Sequence, residues 1–79
     1  MTDYDLYFYC EACNQPHPKG IEVRIDGGPS RKINIGAFYA SKKLPRKIER
    51  FVNSEVLCPN TNSLFKQADM HRIYLIPIN

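Results

Sequence analysis

The sequence lacks any long apolar run and has few glycines. None of its stretches reaches the ~18 apolar residues that a membrane-spanning helix needs, so we expect no membrane span. Residues 1–5 carry two aspartates and no basic side chain, whereas a secretory signal begins basic and continues apolar. Only 4 Gly and 6 Pro accompany 43% hydrophobic residues, which is typical of globular chains. These absences favour a folded, soluble, cytoplasmic protein.

The chain is also short, and its cysteine count is odd. At 79 residues it predicts a single domain spanning residues 1–79. A domain of this size buries only about 60% of the surface that its unfolded chain exposes, so an additional constraint on the fold is expected. The 3 Cys cannot all pair in disulfides, and a reducing cytoplasm leaves thiols free. Metal binding is therefore the expected constraint.

A β-hairpin is the clearest structural prediction. Residues 21–25 and 31–35 each alternate apolar with polar side chains at period two, and residues 26–30 between them are turn-forming. Before the hairpin, the aromatic residues 6–9 predict a strand that ends at the first cysteine, and the prolines within residues 14–20 predict a loop. The buried face of the hairpin is predicted to carry Ile21, Val23, Ile25, Ile33 and Ile35.

The second half of the chain predicts one short helix at about residues 45–53, with its apolar positions at helical spacing. Residues 58–62 then predict a tight turn, and residues 73–76 a final buried strand. Residues 63–66 are predicted to pair with that strand across a bend at residues 68–70. The fold class that follows is α+β, with a small antiparallel sheet and one short helix packed on it, stapled by one structural metal.

Four side chains have the spacing of a metal site. Cys10 and Cys13 form a Cys-x-x-Cys pair whose sulfurs can converge from one turn, His17 follows closely, and Cys58 precedes a proline in the later turn. Three cysteines and one histidine meet the tetrahedral demand of structural zinc, because soft thiolates favour zinc over magnesium or calcium. His71 is the alternative fourth ligand, and three unliganded thiols are the alternative to metal binding.

These two turns resemble those of zinc-ribbon and zinc-knuckle domains, over residues 6–17 and 57–62. In a ribbon the second turn commonly carries its own Cys-x-x-Cys pair, but here Thr61 stands where its second cysteine would be. The resemblance implies a closed zinc site that stabilises the fold without catalysis. A redox role for the first pair would need a helix that the following prolines prevent. A nucleophilic Cys58 would need an orienting partner and an oxyanion site that the sequence does not suggest.

Basic residues are concentrated in one quarter of the chain. Residues 31–50 carry seven basic side chains and one acidic one, although the whole chain has a net charge of only +3. Such a cluster suits nucleic-acid phosphates, and an ordinary solvated helix surface is the alternative. An aromatic side chain nearby would stack on bases. The predicted nucleic-acid-binding residues are Lys42, Lys43, Arg46, Lys47, Arg50 and Tyr39.

The sequence therefore predicts a non-enzymatic zinc module that binds nucleic acid, with no small-molecule substrate. The rival function is a protein-interaction adaptor, in which the zinc is purely structural and Phe38, Tyr39 or an exposed strand edge meets another chain. Charge reversal on the helix distinguishes the two, because it would remove nucleic-acid binding but spare an apolar contact.

Overall fold

The computed structural model describes residues 2–67 and 69–78, and its main element is a four-stranded antiparallel sheet. Strand β1 (Thr2–Cys10) and the final strand β6 (Ile73–Pro77) lie side by side at the centre. Strand β2 (Gln15–Ile25) forms one edge next to β1, and β3 (Ile33–Asn34) forms the other edge next to β6.

Helices cover one face of this sheet, and a small β-ribbon completes the domain. Helix α1 (Ile35–Phe38) is a single turn after β3, and helix α2 (Arg46–Val52) precedes the ribbon of β4 (Val56–Leu57) and β5 (Leu64–Phe65). A 3-10 turn at Met70–Arg72 leads into β6. The protein is therefore α+β, as predicted. Within the described residues, no helix is long and apolar enough to cross a membrane.

The core lies between the sheet and α2. Strand β1 buries every second side chain, because successive strand residues point to opposite faces. Its Phe8 ring packs against Phe51 of α2 with centroids 5.7 Å apart, so the helix is held by aromatic burial worth about 1.5–3 kcal/mol per side chain. The buried core residues are Tyr4, Leu6, Phe8, Cys10, Val23, Ile33, Ile35, Ile48, Phe51, Val56, Cys58, Ile73 and Leu75.

The predicted hairpin between residues 21–25 and 31–35 is wrong. These segments lie at opposite edges of the sheet, and the real hairpin joins β1 to β2. Residues 26–30 do turn the chain, but Thr2 and Tyr4 fasten this turn to β1 by donating hydroxyl hydrogen bonds to the carbonyls of Gly28 and Pro29. Period-two alternation had identified a buried face for each segment, but it says nothing about which strand lies alongside.

The predicted loop at residues 14–20 is also wrong, because β2 begins at Gln15 and runs through both prolines. An edge strand tolerates proline, since one side of its backbone is unpaired. Pro18 pairs with Tyr7 but Glu22 pairs with Asp5, so the intervening residues bulge out of the ladder. Gly20 provides the left-handed φ of 82° in this bulge.

The later elements agree more closely with prediction. Helix α2 lies within the predicted range, the turn at residues 58–62 forms, and β6 is the buried final strand. The expected pairing of residues 63–66 with β6 is wrong, since β5 pairs with β4; Ala68, in the predicted bend, lies outside the described residues. Ile35 begins α1 instead of extending a strand, because the Asn34 side chain caps the helix by accepting from the N–H of Ala37 at 3.1 Å.

Candidate metal centre and basic surface

The four predicted ligands converge at one end of the sheet. Cys10 ends β1, Cys13 lies in the turn that follows, His17 lies in β2, and Cys58 follows β4. One ligand atom from each residue lies within 4.8 Å of all the others. The Sγ atoms of Cys13 and Cys58 are 3.3 Å apart, and Cys58 Sγ is 3.9 Å from His17 Nε2. This Cys3His group is close enough to bind one metal ion.

Hairpin register explains how the first three ligands meet. His17 pairs with Phe8 across the ladder, so its ring lies on the buried face that Cys10 also occupies one pleat further along β1. The His17 ring contacts Phe8 edge-on, with centroids 5.8 Å apart, and only 6% of the residue is exposed. A buried imidazole in apolar surroundings needs a polar or metal partner, and the thiols are its neighbours.

The turn after β4 presents the fourth ligand. The backbone N–H of Asn62 donates to the carbonyl of Cys58 at 2.8 Å, and Asn62 itself has a left-handed φ of 58°. This tight reversal leaves Cys58 fully buried beneath the β1–β2 turn. The Asn60 side-chain amide then donates to Cys13 Sγ at 3.3 Å, so the two ligand-bearing turns are also joined directly.

Hydrogen bonds favour the thiolate form of Cys58. These hydrogen bonds lower the pKa of Cys58 from the ordinary 9.0 to about 5. The Thr61 hydroxyl contributes most and the Thr61 backbone N–H adds to it, so together they outweigh burial, which raises the pKa. The pKa of Cys13 is raised, since the lowering effect of Asn60 is outweighed by neighbouring thiols and burial. Thr61 therefore favours the thiolate form of Cys58 from outside the Cys3His group.

His71, the alternative ligand, lies elsewhere. It is exposed in the 3-10 turn, its backbone carbonyl accepts from the Asn34 side chain at 2.7 Å, and its ring lies directly against Gly36. A side chain at Gly36 would collide with that ring. The structure thus places His71 against α1, while the converging group contains His17.

The six predicted nucleic-acid-binding residues lie on α2, in the connection before it and just after α1. Arg46, Lys47 and Arg50 are exposed on α2, whereas Lys42 lies in the turn before it with its ammonium 4.3 Å from the centroid of the Phe38 ring. Lys43, in the same connection, is also exposed. Tyr39 is half-buried after α1, its ring against Phe38, and this burial raises its pKa. Tyr39 therefore belongs to the margin of the core.

The sequence did not predict two features of these sites. Lys19, in the segment read as a loop, lies beside Lys47 and Arg50 across a groove. Asn60 and Thr61 support the thiolates, a role that their position just after Cys58 could have suggested. Lys19 had no comparable signal, because its place depends on the β2 bulge.

No family model, curated protein or solved structure matches this chain.

Proposed function

We propose that Cys10, Cys13, His17 and Cys58 hold a structural zinc ion, as in zinc-ribbon and zinc-knuckle domains. A tetrahedral ion with Zn–S bonds of about 2.3 Å places neighbouring sulfurs about 3.8 Å apart. The Cys13–Cys58 separation of 3.3 Å and the Cys58–His17 separation of 3.9 Å lie near that edge length. The carrying observation is the convergence of all four ligand atoms within 4.8 Å.

Four protein ligands would close the site, so zinc there stabilises the fold instead of activating water. Three thiolates and one zinc ion leave a local charge of about −1, which the Asn60 amide and the Thr61 hydrogen bonds offset. This chemistry supports a non-enzymatic protein.

Thr61→Val is expected to release zinc at higher pH. The folded pKa of Cys58 is depressed, so its contribution to stability is complete above the ordinary thiol value of 9.0 and is lost as pH falls through about 5. Removal of the hydroxyl donor raises that pKa, and protons then displace zinc earlier during acidification. A pH titration with a zinc-sensitive dye measures the midpoint. Thr61→Ser keeps the hydroxyl and serves as the control; equal midpoints for Val and Ser variants would contradict the role of Thr61.

We further propose that the zinc-stapled domain binds nucleic acid through α2. Arg46, Lys47 and Arg50 are exposed on this helix, with Lys42 and Lys43 just before it and Glu49 as its only acidic residue. This concentration of cations on α2 and in the connection before it is the observation that carries the proposal. Phosphates are the cellular anions that such a cluster attracts most strongly.

Salt dependence tests this binding function. Each phosphate contact adds about −0.9 to the slope of log affinity against log salt on duplex and about −0.7 on a single strand. Five contacts would give a slope of roughly −3.5 to −4.5. Arg46→Glu should weaken binding several-fold without harm to the fold, since an acid suits the first turn of a helix. Lys66→Glu, an equal charge change just after β5, should leave the affinity unchanged. An affinity for nucleic acid that does not depend on salt would refute the proposed binding function.

A protein-interaction adaptor is the second candidate, favoured by the β4–β5 ribbon. Leu57 and Leu64 form a cross-strand pair and are 50% and 64% exposed, which is unusual for large apolar side chains. Substitution of both by serine would abolish a protein contact made there, and Arg46→Glu would leave that contact intact.

A further inference from the structure

A groove runs between the edge strand β2 and helix α2. Lys19 and Ile21 line it from β2, Lys47 and Arg50 from α2, and Ser54 from the segment after α2. Its volume of about 580 Å³ falls within the ~300–1,000 Å³ of ligand sites. Phe51, which packs into the core, also borders its floor.

The groove is electrostatically one-sided. Three basic residues from two different elements line it, and none of the described residues that line it is acidic. Lys47 is held in place by donating from Nζ to the backbone carbonyl of Glu22 at 3.0 Å. A second surface that includes Lys47 carries Asp3 and Glu22, and it also contains Arg24, which pairs with Asp3 at 2.7 Å. The groove thus offers cationic walls over an apolar floor.

Backbone geometry positions the β2 wall. Lys19 and Ile21 belong to the bulge opposite Leu6, and Gly20 between them supplies its left-handed conformation. His17 precedes Lys19 by two residues and faces the thiol cluster, so a metal ion bound there would also restrain the strand that carries the groove cation. The cationic wall is therefore built by the edge-strand irregularity and the ligand cluster together.

We propose that this groove binds one unpaired nucleotide, and that the protein therefore prefers single-stranded nucleic acid to duplex. The inference rests on the nucleic-acid-binding function proposed above and specifies its substrate. A duplex presents phosphates to a helix but keeps its bases stacked, so an apolar floor would add nothing to its binding. A single strand can lay one base on Ile21 while the flanking phosphates meet Lys19, Lys47 and Arg50.

Fluorescence anisotropy with labelled probes tests the preference. The zinc-loaded protein is titrated with a single-stranded DNA and a single-stranded RNA of roughly ten nucleotides, within the ~4–16 that such sites cover, and with the matching DNA duplex. Seating one base on the aliphatic side chain of Ile21 should contribute about fivefold in affinity, the lower end of the range for base–aromatic stacking. At least one single strand should therefore bind at least about fivefold more tightly than the duplex. The better of the two identifies the natural polymer.

Two matched pairs of variants locate the site. Lys19→Gln should weaken single-strand binding and lower its salt slope by about 0.7, whereas Lys66→Gln, an equal charge loss outside the groove, should not. Ser54→Glu places a carboxylate in the lining and should abolish the single-strand preference, whereas Ser30→Glu, the same substitution outside the groove, should preserve it. Circular dichroism verifies that each variant is folded before it is titrated.

The outcomes separate the inference from the function beneath it. Equal affinity for single strand and duplex, with Lys19→Gln behaving like Lys66→Gln, would refute nucleotide binding in the groove. Nucleic-acid binding through α2 would still stand. Absence of binding to all three probes at about 50 mM salt, a concentration that favours phosphate contacts, overturns both.

Discussion

Cys58→Ser is expected to abolish cooperative unfolding of the domain. Structural zinc contributes apparent free energies of about 10–16 kcal/mol in finger peptides, comparable to the whole stability of about 5–15 kcal/mol of an ordinary domain. Serine keeps the shape of the side chain but lacks the thiolate that zinc requires. Thermal unfolding followed by circular dichroism should show a sharp transition for the parent protein and a broad, baseline-like slope for the variant.

The two histidines supply the matched control for this experiment. His17→Asn should lose zinc and the cooperative transition, as Cys58→Ser does, whereas His71→Asn should retain both because His71 lies against Gly36. Zinc content by atomic absorption accompanies each melting curve. A Cys58→Ser protein that melts like the parent would remove zinc from the account of stability.

Phe8→Ala is expected to cost about 3–5 kcal/mol of unfolding free energy, the range for truncating a buried aromatic side chain. Phe8 is 2% exposed, and its ring lies 5.7–5.8 Å from the rings of Phe51, His17 and Phe65. It therefore joins the helix, the ribbon and a metal ligand at one point of the core. Denaturant unfolding at saturating zinc measures the loss of stability.

Tyr7→Ala provides the comparison on the same strand. Tyr7 faces the opposite side of the sheet and is only half-buried, so its truncation should cost clearly less than that of Phe8. If the two variants lose equal stability, the core is not centred on Phe8 as the packing indicates.

The Cys3His group could be predicted from the sequence because the chemistry of metal binding constrains its members tightly. A Cys-x-x-Cys pair followed by His17 can converge within one hairpin, and Cys58 is the only remaining cysteine, so residue type alone nearly specified the set. Helix α2 was predictable for a similar reason, since its apolar residues recur at a period that a strand does not share.

Strand neighbours could not be predicted in this way. The alternation of residues 21–25 and 31–35 is satisfied equally by pairing with each other or with β1 and β6, because only the buried face is specified. Pro16 and Pro18 argue against an interior strand but are compatible with an edge strand. Whether a strand lies at an edge depends on how the whole sheet is assembled. The position of Lys19, and therefore the groove, depends on the same long-range strand pairing and could not be predicted either.

For an ion held as proposed, the arrangement of the Cys3His group also implies an order of loading and exchange. Cys10, Cys13 and His17 lie on one hairpin, so these three can capture a metal before the rest of the chain is folded, whereas Cys58 arrives from the β4–β5 ribbon, whose strands are two residues each. So short a ribbon opens locally at lower cost than the four-stranded sheet. The exit of an ion held as proposed would therefore begin with brief detachment of that ribbon, which removes Cys58 from the group first.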